Sequence, residues 1–177
     1  MIEIKRGFLG DRMIKIKEVK IDGESIFVFN SAIYIFESSE GCTLELDLIV
    51  SEVAIRKYQK EETLIVEIEL EDNRLISSIM HVKVVPGKLP IINLSYEIDN
   101  PDEFPDLLCV NEYDSNFPRI DERITIEEIR KIEMPNEKIS LRLNLPIDQV
   151  EWLREQKGKD LNQIFKDLIY EYWVKQN

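Results

Sequence analysis

Residues 138–145 have the sequence Lys-Ile-Ser-Leu-Arg-Leu-Asn-Leu, a segment of strict alternation. Polar and apolar residues alternate through it, and successive side chains of a strand point to opposite faces. One face would therefore hold the aliphatic residues Ile139, Leu141, Leu143 and Leu145. The other face would hold the hydrogen-bonding residues Lys138, Ser140, Arg142 and Asn144. The pattern predicts a strand with one buried face and one face that contacts something polar.

Two amphipathic helices are predicted after this strand. Pro146 has a fixed φ that suits the start of a helix, and Val150 and Leu153 form the apolar stripe of that helix. Gly158 is predicted to end it, and Asp160 to cap the next helix. The second helix has a long apolar stripe at helical spacing, formed by Leu161, Ile164, Phe165, Leu168, Ile169, Tyr172 and Trp173. Because so small a unit cannot bury this stripe alone, we expect a homodimer.

The order of strand, helix and helix over residues 138–176 resembles the ribbon-helix-helix family of DNA-binding proteins, the Arc- and MetJ-like fold of bacterial and phage repressors and many antitoxins. In that family the strands of two subunits pair as an antiparallel ribbon that enters the major groove. The resemblance implies DNA contacts from Lys138, Ser140, Arg142, Asn144, Lys157, Lys159 and Asn162. It also implies a dimer core of Ile139, Leu141, Leu143, Leu145, Val150, Leu153, Leu161, Ile164, Phe165, Leu168, Ile169 and Tyr172. The sequence departs from the family at Asp160, where serine or threonine is frequent.

The longer part of the chain, ahead of this tail, consists largely of strand-like segments separated by turn signals. The clearest predicted strands are residues 13–21, 25–36, 42–50, 63–71, 75–85 and 91–98. Short turns between consecutive strands predict antiparallel pairing, and six such strands favour a small barrel or a sandwich. Residues 26–29 and 32–36 are apolar at consecutive positions, so we expect this segment in the middle of a sheet or against a partner.

Two short helices are predicted outside the tail. Ser51 is placed to cap a helical turn within residues 51–59, and Thr125 to start a helix over residues 126–132. Residues 99–121 hold prolines and scattered carboxylates without the spacing of a calcium-binding loop, so an irregular loop is predicted. We therefore expect an α+β protein with an acidic β-rich barrel or sandwich at 1–123, a short helix and hinge at 124–137, and a ribbon-helix-helix dimerisation module at 138–177.

Charge is divided unevenly along the chain. The net charge is −12, but residues 138–177 hold seven Lys and Arg against six Asp and Glu, which leaves −13 in residues 1–137. An acidic domain repels phosphate backbones, so any nucleic-acid contact is expected from the tail. No apolar run approaches the roughly 20 residues of a membrane span, and the first residues lack the apolar core of a signal peptide. We expect a cytoplasmic protein.

No enzymatic, metal or cofactor site is predicted. The two cysteines, Cys42 and Cys109, stand far apart, and His81 is the single histidine. Zinc-ligand spacing and a Gly-rich phosphate loop are absent from the sequence, and so is a catalytic triad with a histidine to spare. We interpret both cysteines as thiols in a reducing compartment and His81 as a polar residue of a strand.

Two functions from different classes fit these features. The first is a homodimeric DNA-binding regulator, repressor-like or antitoxin-like, whose β domain binds a ligand or a protein. The alternative is a phage or mobile-element interaction or inhibitor protein, whose acidic β domain binds a protein target while the tail only dimerises. An open polar face on residues 138–145 favours the first function, and a covered one favours the second.

Overall fold

A computed structural model describes residues 14–114 and 117–176 of the chain. It divides into two compact units, the first ending at Asn136 and the second beginning at Glu137. The strands are β1 Ile16–Ile21, β2 Glu24–Ile26, β3 Asn30–Ser38, β4 Gly41–Ile49, β5 Thr63–Leu70, β6 Leu75–Val85, β7 Ile91–Ile98 and β8 Cys109–Asn111. The helices are α1 Glu52–Tyr58, α2 Ile126–Ile132, α3 Ile147–Glu155 and α4 Gly158–Gln176. The predicted α+β class is confirmed.

All eight strands belong to one sheet, in the order β2-β1-β5-β6-β7-β4-β3-β8. Every neighbouring pair is antiparallel except β3 and β8, which run parallel. The predicted strand at 75–85 coincides with β6 and the one at 91–98 with β7. Short connections explain most of the antiparallel pairing, because a tight turn returns the chain beside the strand it has just left.

One face of this sheet forms the core of the first unit. In β5, Leu64, Val66, Ile68 and Leu70 are buried, and the residues between them face the other way. Val19 in β1, Leu46 in β4 and Leu94 in β7 are fully buried, so the apolar face is covered across the sheet. Helix α1 has seven residues, about 10 Å at 1.5 Å per residue, and is too short to cover eight strands. Tyr58 of α1 belongs to this core, so the helix covers part of the apolar face.

The structure corrects three expectations for the first unit. The segment 25–36 is two strands rather than one, because residues 27–29 leave the sheet between β2 and β3. Strand β8 was not predicted, since three residues in a proline-rich loop show no alternation that could reveal it. A barrel or a two-sheet sandwich was expected, whereas the strands form one open sheet. The start of the strand predicted at 13–21 lies outside the described residues.

Helix α2 packs on the first unit, so residues 124–136 are part of that unit and not a separate hinge. Thr125 and Glu128 form a capping box at its start, as the sequence predicts for a helix over 126–132. Ile129 is fully buried, and Arg130 pairs with Glu52 of α1. Glu133 accepts a hydrogen bond from Ser51, the residue that caps α1. These contacts fix α2 against α1.

The second unit contains α3, α4 and the residues ahead of them. Residues 138–145 form no strand in the described chain, whereas the sequence predicts a strand that pairs with that of a second subunit. The physical reason is that a strand needs a hydrogen-bonded neighbour, and the described chain supplies none here.

No helix in the described ranges combines the length and the apolar character that a membrane span requires.

Candidate functional site

Residues 138–144 are exposed at every position, on the polar and the apolar side alike. Ser140, Arg142 and Asn144 make no hydrogen bond or ion pair with any other described residue. Ile139 is 71% exposed, Leu141 63% and Leu143 57%. Leu145 is half-buried. Within one chain, both the backbone groups and the aliphatic side chains of this segment therefore lack the partners that they have in a folded sheet.

The start of α4 differs from the predicted geometry. Gly158 is the first residue of α4 rather than the stop of α3, and Asp160 lies in the first turn rather than at the cap. The Asp160 and Leu161 amides both donate to the Lys157 carbonyl, at 2.9 and 3.1 Å, so Lys157 precedes the helix. Helix α3 ends earlier, where the Gln156 amide donates to the Leu153 carbonyl. The helix start therefore lies three residues closer to the N-terminus than predicted, at Gly158 rather than Leu161.

The predicted phosphate-contact residues are all on the surface. Lys157 and Lys159 flank Gly158, Asn162 follows one turn later, and all three side chains are exposed. A helix N-terminus attracts anions because its first backbone N–H groups point outward. Asp160 places a carboxylate in that same turn, which reduces the attraction for a phosphate.

The predicted dimer core forms an open apolar face on the two helices. Leu168, Ile169 and Tyr172 of α4 are each more than half exposed. Val150, Leu153, Leu161 and Phe165 are half-buried, and Ile164 is at the exposed limit. A hollow of about 460 Å³ lies on α4, lined by Leu168, Ile169, Tyr172, Trp173 and Gln176. None of the predicted core residues is buried in the single chain.

Part of the apolar surface of α4 was not predicted from the sequence. Tyr170 and Val174 are 65% and 50% exposed, and they lie on the side of the helix away from Leu161 and Leu168. The ring of Tyr170 is 6.4 Å from that of Trp173. A helical projection of residues 169–174 would have revealed this second stripe, because only Glu171 interrupts it.

A groove of about 640 Å³ lies in the first unit, and the sequence analysis did not identify it. It is lined by Phe27, Val28, Phe29, Asp121, Arg123, Ile124, Glu128 and Ile132. Phe27 is 57% exposed and Ile132 60%. The signal that could have indicated it is the consecutive apolar run at 26–29, which residues 27–29 present outside the sheet.

A polar cluster lies on the outer face of the sheet. The Asn93 side-chain amide donates to Glu45 and to Asp47, at 2.9 Å each, and the Tyr34 hydroxyl lies 3.4 Å from Asp47. Burial and the two carboxylates raise the pKa of Tyr34 well above its usual range, so its hydroxyl stays protonated and donates. Because each group has a partner, we interpret this cluster as structural.

No group of His, Cys, Asp and Glu side chains that could hold a metal ion occurs in the part of the chain that the structure describes. Cys42 is half-buried and Cys109 is exposed, and neither is part of a disulfide. His81 is exposed on β6, the polar position that the alternation predicted.

Comparisons of this sequence and structure with protein-family models, curated proteins and solved structures give no match.

Proposed function

We propose that this protein is a homodimeric ribbon-helix-helix regulator that binds DNA through residues 138–145. The proposal is supported by the exposure of this segment, because its aliphatic and its polar side chains are both accessible to solvent at residues 138–144. A second copy would satisfy the backbone by antiparallel pairing and would bury the aliphatic face against α3 and α4. The polar face of the ribbon would remain open.

The chemistry of that polar face suits the reading of bases. Arg142 can donate two hydrogen bonds to guanine, and Asn144 can pair with adenine through its amide. Ser140 donates or accepts. Lys157 and Lys159 would contact phosphates, and they would position the ribbon without selecting a sequence. The segregation of charge supports this division, because the tail carries +1 while residues 1–137 carry −13.

A second function is favoured by one feature of α4. Asp160 lies in its first turn, where a phosphate would approach, and the tail has little positive charge to offset it. In this alternative the tail only dimerises, and the acidic first unit binds a protein target, as an inhibitor from a phage or mobile element would.

The test of the proposed function uses the full-length chain and a library of random DNA duplexes. Rounds of selection would enrich a sequence with two related half-sites, because a two-fold symmetric reader recognises a pseudo-palindrome. Fluorescence anisotropy on the selected duplex at several salt concentrations would then show affinity falling as salt rises. Failure to enrich any sequence, together with a light-scattering mass of a dimer, would support the alternative.

A further inference from the structure

The groove beside Phe27, here called the Phe27 groove, has two walls that are each fixed to the sheet. One wall is the connector 27–29, where the Phe29 amide donates to the Ile49 carbonyl at 2.9 Å. The rings of Phe27 and Phe29 pack edge to face with centroids 4.7 Å apart. The groove is therefore formed in the free chain and does not need a ligand to assemble it.

The second wall is the segment 121–132, which includes α2. The Asn30 side chain donates to the Asp121 carbonyl at 3.0 Å, and this bond fixes the start of the segment to β3. Ile129 fixes its other end, because this side chain is fully buried. Ile124 and Ile132 face the groove between these anchors.

The rim of the Phe27 groove is acidic. Among the residues that line it, Asp121 and Glu128 carry carboxylates and Arg123 carries a guanidinium. Arg123 is engaged with Asp121 through hydrogen bonds that include two at 2.7 and 2.8 Å. The pKa of Asp121 is lowered by Arg123, and the pKa of Glu128 by its bonds to Thr125, so both stay ionised at neutral pH. The segment keeps a net negative charge beside an apolar floor.

We propose that the Phe27 groove docks a basic amphipathic segment of a partner protein, with apolar side chains against Phe27 and Ile132 and with lysine or arginine against the carboxylates of Asp121 and Glu128. The inference deepens the protein-binding role proposed for the first unit and rests on it. Phe27 and Ile132 are each more than half exposed, so the groove is too open to enclose most of a small molecule. A chain segment with an apolar side needs no such enclosure.

A two-fold symmetric contact of the Phe27 groove with the same groove of a second copy is disfavoured. In such a contact the same patch meets itself, and Asp121 and Glu128 would face those of the other copy. Like charges across an interface oppose association, and the −13 of residues 1–137 adds to that repulsion. Complementary charge requires a basic partner.

The experiment measures binding of a fluorescein-labelled peptide of leucine and lysine, with leucines on one helical face, to the full-length chain. A second peptide with serine in place of leucine reports attraction by charge alone. The chain variants are Phe27→Ser and Ile132→Ser, and the matched control is Ile79→Ser, because Ile79 is 66% exposed on β6 outside the groove. Circular dichroism checks that each variant is folded. If Phe27→Ser does not fold, Ile132→Ser is used in its place.

Each groove variant is expected to weaken binding of the leucine–lysine peptide about tenfold or more, as loss of a central apolar anchor does, and the Ile79→Ser variant to change it less than about twofold. Glu128→Gln, which removes a lining charge and can keep the capping box with Thr125, should also weaken it and reduce its salt dependence. Equal binding by the groove variants and the control would overturn the proposal, as would equal binding of the serine–lysine peptide. A change in oligomeric state caused by Phe27→Ser would assign the groove to self-association and also overturn it.

Failure of this proposal is distinguishable from failure of the proposed function. The DNA titration on the same variants should be unchanged, because no residue of the Phe27 groove belongs to the tail. If the unaltered chain does not bind DNA, the proposed regulator function is excluded. The result of the peptide experiment would still hold.

Discussion

Arg130 of α2 binds Glu52 of α1 through two hydrogen bonds, from Nε at 2.6 Å and from a terminal guanidinium nitrogen at 2.8 Å. This paired geometry is the strongest form of a surface ion pair. Replacing Arg130 with alanine should lower the free energy of unfolding by about 1 kcal/mol, the upper end for exposed pairs. Urea unfolding of Arg130→Ala measures this loss in the free energy of unfolding, and Lys131→Ala on the same helix is the control. Equal losses in the two variants would mean that the pair adds nothing.

The same ion pair predicts a dependence of stability on pH. The Arg130 hydrogen bonds lower the pKa of Glu52 below its ordinary value of 4.5. A lowered pKa in the folded chain stabilises it above the unfolded value, and this stabilisation is lost as the pH falls through the lowered value. The stability difference between the unaltered chain and Arg130→Ala should therefore be constant near neutrality and shrink below about pH 4. A difference that stays constant down to pH 3 would contradict this assignment.

Helix α2 sets where the chain can be cut. A chain that ends at Asn136 keeps Ile129 buried and keeps the contacts of α2 with α1. We expect it to fold with the far-ultraviolet circular dichroism of a β-rich protein. A chain that ends at Arg123 loses Ile129 from the core and should be less stable by about 2–5 kcal/mol, the range for removing a large buried side chain. Thermal unfolding of the two shortened chains compares them, and equal stability would show that α2 is dispensable.

The open apolar face of the tail predicts that the chain dimerises through residues 138–176. Leu168→Asp would place an unpaired charge in the dimer core, which costs several kcal/mol. The variant should be monomeric by light scattering at micromolar concentration, or its tail should unfold. Ile79→Asp is the matched control, because Ile79 is also an exposed aliphatic residue but lies on the sheet. A Leu168→Asp chain that remains a dimer with unchanged helicity would exclude this interface.

Local sequence patterns predicted strands of the first unit correctly where the alternation of polar and apolar residues and the turn signals marked the same boundaries. Strands β6 and β7 begin and end where alternation does, and α2 begins where Thr125 and Glu128 form the capping box. The break between β2 and β3 was not predictable, because residues 26–36 are apolar on both sides of it and alternation gives no phase. Strand β8 depends on a parallel pairing with β3 that is distant in sequence, and no local signal encodes such a contact.

The two candidate sites, residues 138–145 and the Phe27 groove, also differ in how far the sequence predicts them. Alternation in residues 138–145 predicted one polar and one apolar face, and the described single chain has no strand there and exposes both sets of side chains at 138–144. The Phe27 groove joins residues 27–29 with 121–132, about a hundred positions apart. Its walls are brought together by Ile129 and by the bond from Asn30 to Asp121, both of which are tertiary contacts. Pattern reading along the chain cannot reveal a site of this kind.

The affinity of Arg142→Ala for the duplex selected by the unaltered chain measures whether residues 138–145 read bases. We expect this variant to remain a dimer and to lose about 1–3 kcal/mol of preference for one base pair in each half-site, while Lys175→Ala at the far end of α4 changes little. Lys159→Ala should weaken binding to all duplexes alike and flatten the salt dependence by about one unit. Equal affinity of Arg142→Ala and the unaltered chain for every duplex would contradict base reading by this ribbon.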